Sequence, residues 1–360
     1  MLSPEAKFFS FLATRPDLAQ TLSERIPLEI FSPVGKELLA TRKFGEPGLG
    51  TEQEATQFLK LQLLALLGKE IGKAQRNGLN TSRIKQITAL LDDCESAFEP
   101  LPIESFESIL PSIREVIPTG VDAIDTQIQG LARGDLGVVA MASGRGKSCV
   151  MINFAVAAAI SGKTVLYLSV ADQGKNELVP RIDSCILEEP VPVPASLVQL
   201  HERHKRASDR IAGKIWVADY TDRECYLDDI ERAIVEKKSD LVIVDHGDDV
   251  LCQYSSDLSI TRHSLRVVYL SLKKLAVKHQ TCIWTASQMA ESTWNYQSAS
   301  TEGLSESKVG KSSSSAVILT FTGGQPYIEG QVVCTIAKAR RSFTERSFRL
   351  SIDHLINRIW

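Results

Sequence analysis

Ser143-Gly144-Arg145-Gly146-Lys147-Ser148-Cys149 brings two glycines, a lysine and two serine hydroxyls into one short run. Such a run can surround a polyphosphate. Small residues let successive main-chain N–H groups converge on anionic oxygens, a lysine ammonium reaches the outer phosphates, and a serine hydroxyl can ligate Mg2+. The flanks agree with that chemistry. Val138-Val139-Ala140-Met141 precedes the loop as a strand would, and Cys149 to Ala159 follows it as an apolar segment of good helix formers. The pattern G-x-x-x-x-G-K-[ST] is met except at its first glycine, where Met141 stands. A strand, a tight loop and a helix start in that order predict a nucleotide site of the P-loop type, with Ser143, Gly144, Arg145, Gly146, Lys147, Ser148 and Cys149 around the phosphates. The alternative is a turn of structural use only.

Asp240-Leu241-Val242-Ile243-Val244-Asp245 is an apolar strand ending in a carboxylate. At the carboxyl edge of a parallel sheet, Asp245 would lie beside the P-loop and could hold the water shell of Mg2+ together with Ser148. Many strands also end in Asp to cap a following helix. The position of Asp245, about 100 residues after the P-loop, favours the metal reading.

These residues need a scaffold. From Ile117 onward, strand-like and helix-like segments alternate, which predicts a mostly parallel sheet covered on both faces. Strands are expected at 136–141, 164–170, 214–218, 241–245, 281–286, 316–320 and 332–337, mostly as continuous β-branched runs suited to burial on both sides. Segments 331–339 and 347–353 read as an antiparallel hairpin closing the sheet. Residues 1–98 read as a small helical domain, punctuated at Ile26-Pro27, Ser32-Pro33 and Phe44 to Gly48. Its apolar faces suit a core of its own or a protein-docking surface. Residues 99–116 read as a linker, proline-rich and acidic at its start, and 117–360 as the α/β domain.

Composition sets outer bounds. A chain of 360 residues, 43% hydrophobic and 24% charged, can bury a sizeable core in two domains. It holds no stretch near the roughly 18 apolar residues that a membrane span needs, and Met1 to Lys7 lacks the pattern of a signal peptide. An intracellular, cytoplasmic protein is expected. The seven cysteines show no C-x-x-C spacing and read as buried free thiols. A net charge of −3 makes no general case for nucleic acid, so any such contact must come from local basic loops.

Ile117-Pro118-Thr119-Gly120-Val121-Asp122-Ala123-Ile124-Asp125, Gly130 to Leu136 and the P-loop together resemble the start of the ATPase core of RecA-like proteins. Thr164 to Ser169, Asp240 to Asp245, Trp284-Thr285-Ala286-Ser287-Gln288, Leu304 to Lys311 and Ile336 to Arg340 narrow the resemblance to DnaB-type hexameric replicative helicases, particularly phage versions. The motifs follow in family order from 117 to about 353.

The resemblance implies an α/β fold with a RecA-like P-loop core behind a small all-α N-terminal domain, ATP and Mg2+ as cofactors, and a ring of identical subunits on single-stranded DNA. A primase or loader would be a further partner. It implies that Gln288 senses the γ-phosphate and that Lys338 and Arg340 reach phosphates bound by the neighbouring subunit. Solvated charges on an edge hairpin are the plainer reading of that pair. Where the family carries a glutamate that activates water, this chain reads Ala171 followed by Asp172, so Asp172 is the expected base, displaced by one residue and a methylene shorter. For DNA, the loop after Asp245 is acidic at Asp248 and Asp249. The loop after Gln288 carries Trp294, Asn295, Tyr296, Lys308 and Lys311, with Lys308 and Lys311 as expected phosphate contacts. Ala171 also leaves open a rival reading, a catalytically weakened ATP-binding scaffold or loader-like subunit.

Overall fold

The computed structural model describes residues 3–14, 27–41, 52–77, 87–88, 90–91, 114–170, 173–193, 195–252, 261–301, 308–340 and 346–360. Internal contacts divide the chain into two compact units, Met1–Pro111 and Ser112–Trp360. Most of the expected linker lies outside the described residues. Among the described residues no helix is long and apolar enough to cross a membrane.

The first unit is helical, as expected. Helix α1 (Pro4–Leu12) starts where Ser3 accepts a hydrogen bond from the Ala6 N–H and Pro4 supplies a preset backbone angle. With α2 (Pro33–Thr41) and α3 (Glu52–Asn77), it encloses a core built on Phe8, Phe9, Phe31 and Phe58, whose ring centroids lie 5.2–6.3 Å apart.

The second unit opens with a small antiparallel pair, β1 (Val116–Ile117) and β2 (Leu131–Ala132), around helix α4 (Asp122–Ile128). Here the motif Thr119-Gly120…Asp125 has a local cause. The Asp125 carboxylate accepts from the Thr119 N–H at 2.8 Å, the Thr119 hydroxyl at 2.9 Å and the Gly120 N–H at 2.9 Å.

A nine-stranded sheet follows, in the order β11-β10-β9-β8-β3-β7-β6-β4-β5. Its strands are β3 (Leu136–Ala142), β4 (Thr164–Ser169), β5 (Lys214–Asp219), β6 (Leu241–Asp245), β7 (Cys282–Met289), β8 (Val317–Thr322), β9 (Gln331–Ala339), β10 (Arg346–Asp353) and β11 (Arg358–Ile359). Pairings from β8 through β3 to β5 are parallel, and β8 to β11 are antiparallel. The helices are α5 (Lys147–Ile160), α6 (Lys175–Leu187), α7 (Leu197–Ser208), α8 (Leu227–Lys237), α9 (Thr261–Lys278) and α10 (Lys308–Ser314). Strand β3 is buried throughout and alternates between two cores: Val139 and Met141 meet α5, while Leu136, Val138 and Ala140 join Ile230, Tyr269 and Leu272 on the other face. Gly137 is required, because a Cβ there would sit 2.3 Å from the Trp284 ring.

The expected strands recur with ends moved by up to three residues. Strands β1, β2 and β11 are additions to that expectation; at two residues each they are too short to show periodicity. The described cysteines, Cys149, Cys185, Cys225, Cys252, Cys282 and Cys334, are buried free thiols.

Candidate nucleotide site

Strand β3 delivers the chain into a loop whose bends rest on glycine. Gly144 and Gly146 take φ of +66° and +111°, in the left-handed region, and Gly146 caps α5. A Cβ on Gly144 would meet nothing within 4 Å, so the loop is open there. A Cβ on Gly146 would lie 2.8 Å from His354 and Ile352, so the turn after β10 lies against the loop. That turn is held down by Asn153, whose amide donates to the Asn357 carbonyl at 2.7 Å, and by Arg181, which donates to the Asn357 side chain at 2.8 Å. Burial and the nearby Arg181 push the His354 imidazole below its usual pKa, with Asp353 opposing. The sequence carried no signal for this contact.

Lys147 is buried, its ammonium 3.5 Å and 3.4 Å from the carbonyls of Met141 and Ala142. Ser143, Gly144 and Arg145 are exposed and Ser148 is half-buried. The Cys149 thiol is buried, pushed up to about 12 by burial, and sits 3.8 Å from the Arg358 carbonyl. What Cys149 can offer an anion is therefore its main-chain N–H in the first turn of α5.

The sheet order sets β7 between β3 and β6, and register pairs Met141 with Gln288. Gln288 is the exposed residue among the buried ones that end β7. Asp245 ends β6 half-buried and accepts the Tyr167 hydroxyl at 2.8 Å. Burial, then Asp245, pushes the Tyr167 hydroxyl well above its usual pKa. By sequence Tyr167 is one residue of an apolar strand, and its role at the site is missed. The available signal was a lone hydroxyl in a buried run, which needs a partner.

Asp248 belongs by sequence to an acidic loop, yet its carboxylate is enclosed. It accepts from the Tyr269 hydroxyl at 2.7 Å and from the Ser287 hydroxyl and Gln288 N–H at 3.1 Å each, and it pairs with Lys311 at 2.8 Å. This corrects the expectation for Lys311. Its side chain has no exposed surface and a DNA phosphate has no path to it. Trp294 is corrected on similar grounds: only 9% exposed, it packs beneath the Arg145 guanidinium at 5.0 Å and is not free to stack on a base. Tyr296, 51% exposed, and Asn295 remain at the surface. Lys308 begins α10, its side chain outside the described residues, as are Ala171 and Asp172.

Lys338, near the end of β9, donates to the carbonyls of Ser312 and, at 2.7 Å, Ser315. Burial and Arg340 hold its pKa below the usual lysine range. Arg340 follows β9 with its side chain exposed, its N–H donating to the Ala316 carbonyl at 3.0 Å.

The residues present fit a nucleoside polyphosphate with Mg2+: an open glycine loop at a helix start, Lys147, the Ser148 hydroxyl and the Asp245 carboxylate. Among the described residues, no group of three or more His, Cys, Asp or Glu could hold a metal alone. A cation at this site would share its coordination with phosphate oxygens and water, as Mg2+ does in such sites.

Fold and loop together define a RecA-like P-loop protein. A sequence model of the family described as "DnaB-like helicase C terminal domain" matches residues 116–307, more than half of the chain, and the chain belongs to that family. Comparison with curated proteins gives no match. Among solved structures, one described as an ATPase domain is similar at a TM-score of 0.58 and 14% identity, over 76% of this chain and 96% of that one. A DnaB-like replicative helicase, described with its interactions with primase, is similar at 0.58 and 15% identity, over 99% of this chain and 98% of that one. At such identities the likeness is one of fold.

Proposed function

We propose that this chain is the subunit of a ring-forming helicase that binds ATP with Mg2+ at subunit boundaries and moves along single-stranded DNA during replication. The observation that carries the reading is the row of β3, β7 and β6, which sets the Gly144–Ser148 loop, Gln288 and Asp245 at adjacent strand ends in a member of a helicase family. Mg2+ supplies charge neutralisation on the phosphates. Lys147 and the N–H groups of Ser143 to Cys149 bind and orient the phosphates, Ser148 and Asp245 hold the cation, and Gln288 senses the γ-phosphate. Asp172 positions the attacking water. Lys338 and Arg340 act on the nucleotide of the neighbouring subunit, with exposed Arg340 as the finger and Lys338 anchored behind it. Residues 1–98 form a helical N-terminal domain joined through 99–116 to the motor, 117–360. A hexamer in the cytoplasm, with a primase or loader as partner, completes the reading, and Lys308 and Tyr296 are the DNA contacts it retains.

The rival is a slow ATP-binding scaffold, favoured by Ala171 where the family keeps its glutamate. Turnover of purified protein with and without single-stranded DNA separates the two. Stimulated turnover that Asp172→Asn lowers by roughly 10² or more at unchanged ATP affinity is expected of the motor. Turnover untouched by Asp172→Asn and raised by Ala171→Glu would replace it with the scaffold.

A further inference from the structure

Lys311 is a buried lysine that the proposed chemistry does not use. It lies in α10 with no exposed surface, paired with Asp248 at 2.8 Å, bonded to the Ser287 hydroxyl at 2.9 Å and lying over the Tyr269 ring at 5.5 Å. Asp248 sits three residues past Asp245, and its other oxygen accepts the main-chain N–H of Gln288. One carboxylate thus binds the segment after β6, the end of β7 and α10. At the far end of α10, the Ser312 and Ser315 carbonyls accept the Lys338 ammonium, and the Ala316 carbonyl accepts the Arg340 N–H. A chain of polar contacts therefore runs from the Gln288 main chain through Asp248 and α10 to the end of β9.

Well-packed apolar side chains often replace a buried ion pair without loss of stability, so stability alone does not explain this one. Separating its partners is another matter, since the Lys311 ammonium would be left charged with no exposed surface. The pairing therefore opposes separation of Asp248 from α10.

We propose that Asp248 and Lys311 are positioning residues that join the nucleotide-sensing end of β7 to the strand end bearing Lys338 and Arg340. The inference rests on the roles given to those residues under the proposed function. In a ring, it makes the nucleotide state of one subunit set the placement of the cations that it offers to its neighbour.

The test compares the parent chain with Asp248→Asn/Lys311→Met, which removes both charges and strands neither. The readouts are melting temperature, affinity for a non-hydrolysable ATP analogue with Mg2+, kcat and KM for ATP, and hydrogen exchange of the α10 amides with and without the analogue. The double variant is expected to melt near the parent and bind the analogue equally, yet to lose about tenfold in kcat and the analogue's effect on α10 exchange. A purely stabilising pair would leave both intact, and that result overturns the inference. So does a parent that binds the analogue without any change in α10. A parent that binds no analogue overturns the proposed function and this inference with it. If the double variant fails to fold, Ser287→Ala removes the bridging hydroxyl without leaving a charge unpaired. A roughly two- to threefold loss of kcat is then expected, and unchanged kcat overturns the inference.

Discussion

Asp240 and Asp245 bracket β6, and the two ends of that strand differ in their surroundings. Asp240, half-buried like Asp245, has both oxygens engaged from within the chain: Arg133 donates to one and the Thr164 N–H to the other at 2.7 Å. Around it, Glu115 binds both Arg133 at 2.6 Å and Lys163 at 2.5 Å. Lys273 closes on Asp135 at 2.8 Å nearby. These charges tie the amino ends of strands to one another and to α9. Asp245 sits at the other end, half-buried, oriented by Tyr167 beside an open glycine loop and an exposed Gln288. Parallel sheets collect ligands outside the carboxyl ends of their strands, where helix N-termini and loop N–H groups converge. A strand-terminal aspartate is therefore read from its partners and not from its type.

The sharpest break of that contrast is Lys147→Ala. Removing the ammonium from the loop should abolish binding of a fluorescent ATP analogue, a loss of roughly 10² or more in affinity, while circular dichroism stays that of the parent. Retained affinity would turn the open end of the sheet into a second structural end.

Arg340→Ala comes next, with turnover expected to fall by about 10³ or more, the scale of losing an arginine that stabilises transition-state charge. Its particular mark is complementation. Rings mixing Arg340→Ala with Lys147→Ala subunits keep some boundaries at which both residues are intact, so part of the turnover should return. Mixed rings that form and stay inactive would remove the action across subunits.

Asp245→Asn, nearly isosteric, should lower turnover by roughly 10² at saturating ATP and raise the Mg2+ concentration needed, with little change in melting temperature because Tyr167 keeps an acceptor. Equal Mg2+ dependence in variant and parent would place Asp245 with Asp240, as a structural carboxylate.

Much of this scaffold was legible because its determinants are local. Buried parallel strands are continuous apolar runs, and the glycine loop is a contiguous pattern, so β3 to β9 and the loop could be placed from spacing alone. The environment of the site was less legible, because its partners arrive from afar. Tyr167 and Asp245 are 78 positions apart, and Lys311 and Ser287 are 24 apart. Nothing local distinguishes Lys311, which the fold buries, from a lysine on a DNA-facing loop. The same holds for Trp294, whose indole is claimed by Arg145. A basic or aromatic residue in a polar loop has a type but no address until tertiary contacts supply one.

The smallest expected effect sharpens the contrast at its structural end. Hydrogen bonds from Lys163 and Arg133 hold the Glu115 carboxyl below the usual carboxylate range. A carboxylate with a depressed folded-state pKa binds its proton more weakly when folded. Its stabilisation is therefore complete above the unfolded pKa and is lost as pH falls through the folded one. The Glu115 side chain is 42% exposed, so solvent screening limits the contribution to under about 1 kcal/mol. Glu115→Gln should lower the melting temperature slightly at pH 7 and leave ATP turnover unchanged. The gap between variant and parent should narrow as pH drops below the carboxylate range, where the parent glutamate is itself protonated. A gap that persists unchanged in acid would assign the loss to packing of the side chain and remove the ion pairs from the stability of this end. Altered turnover at pH 7 would show that the amino ends of the strands also reach the chemistry.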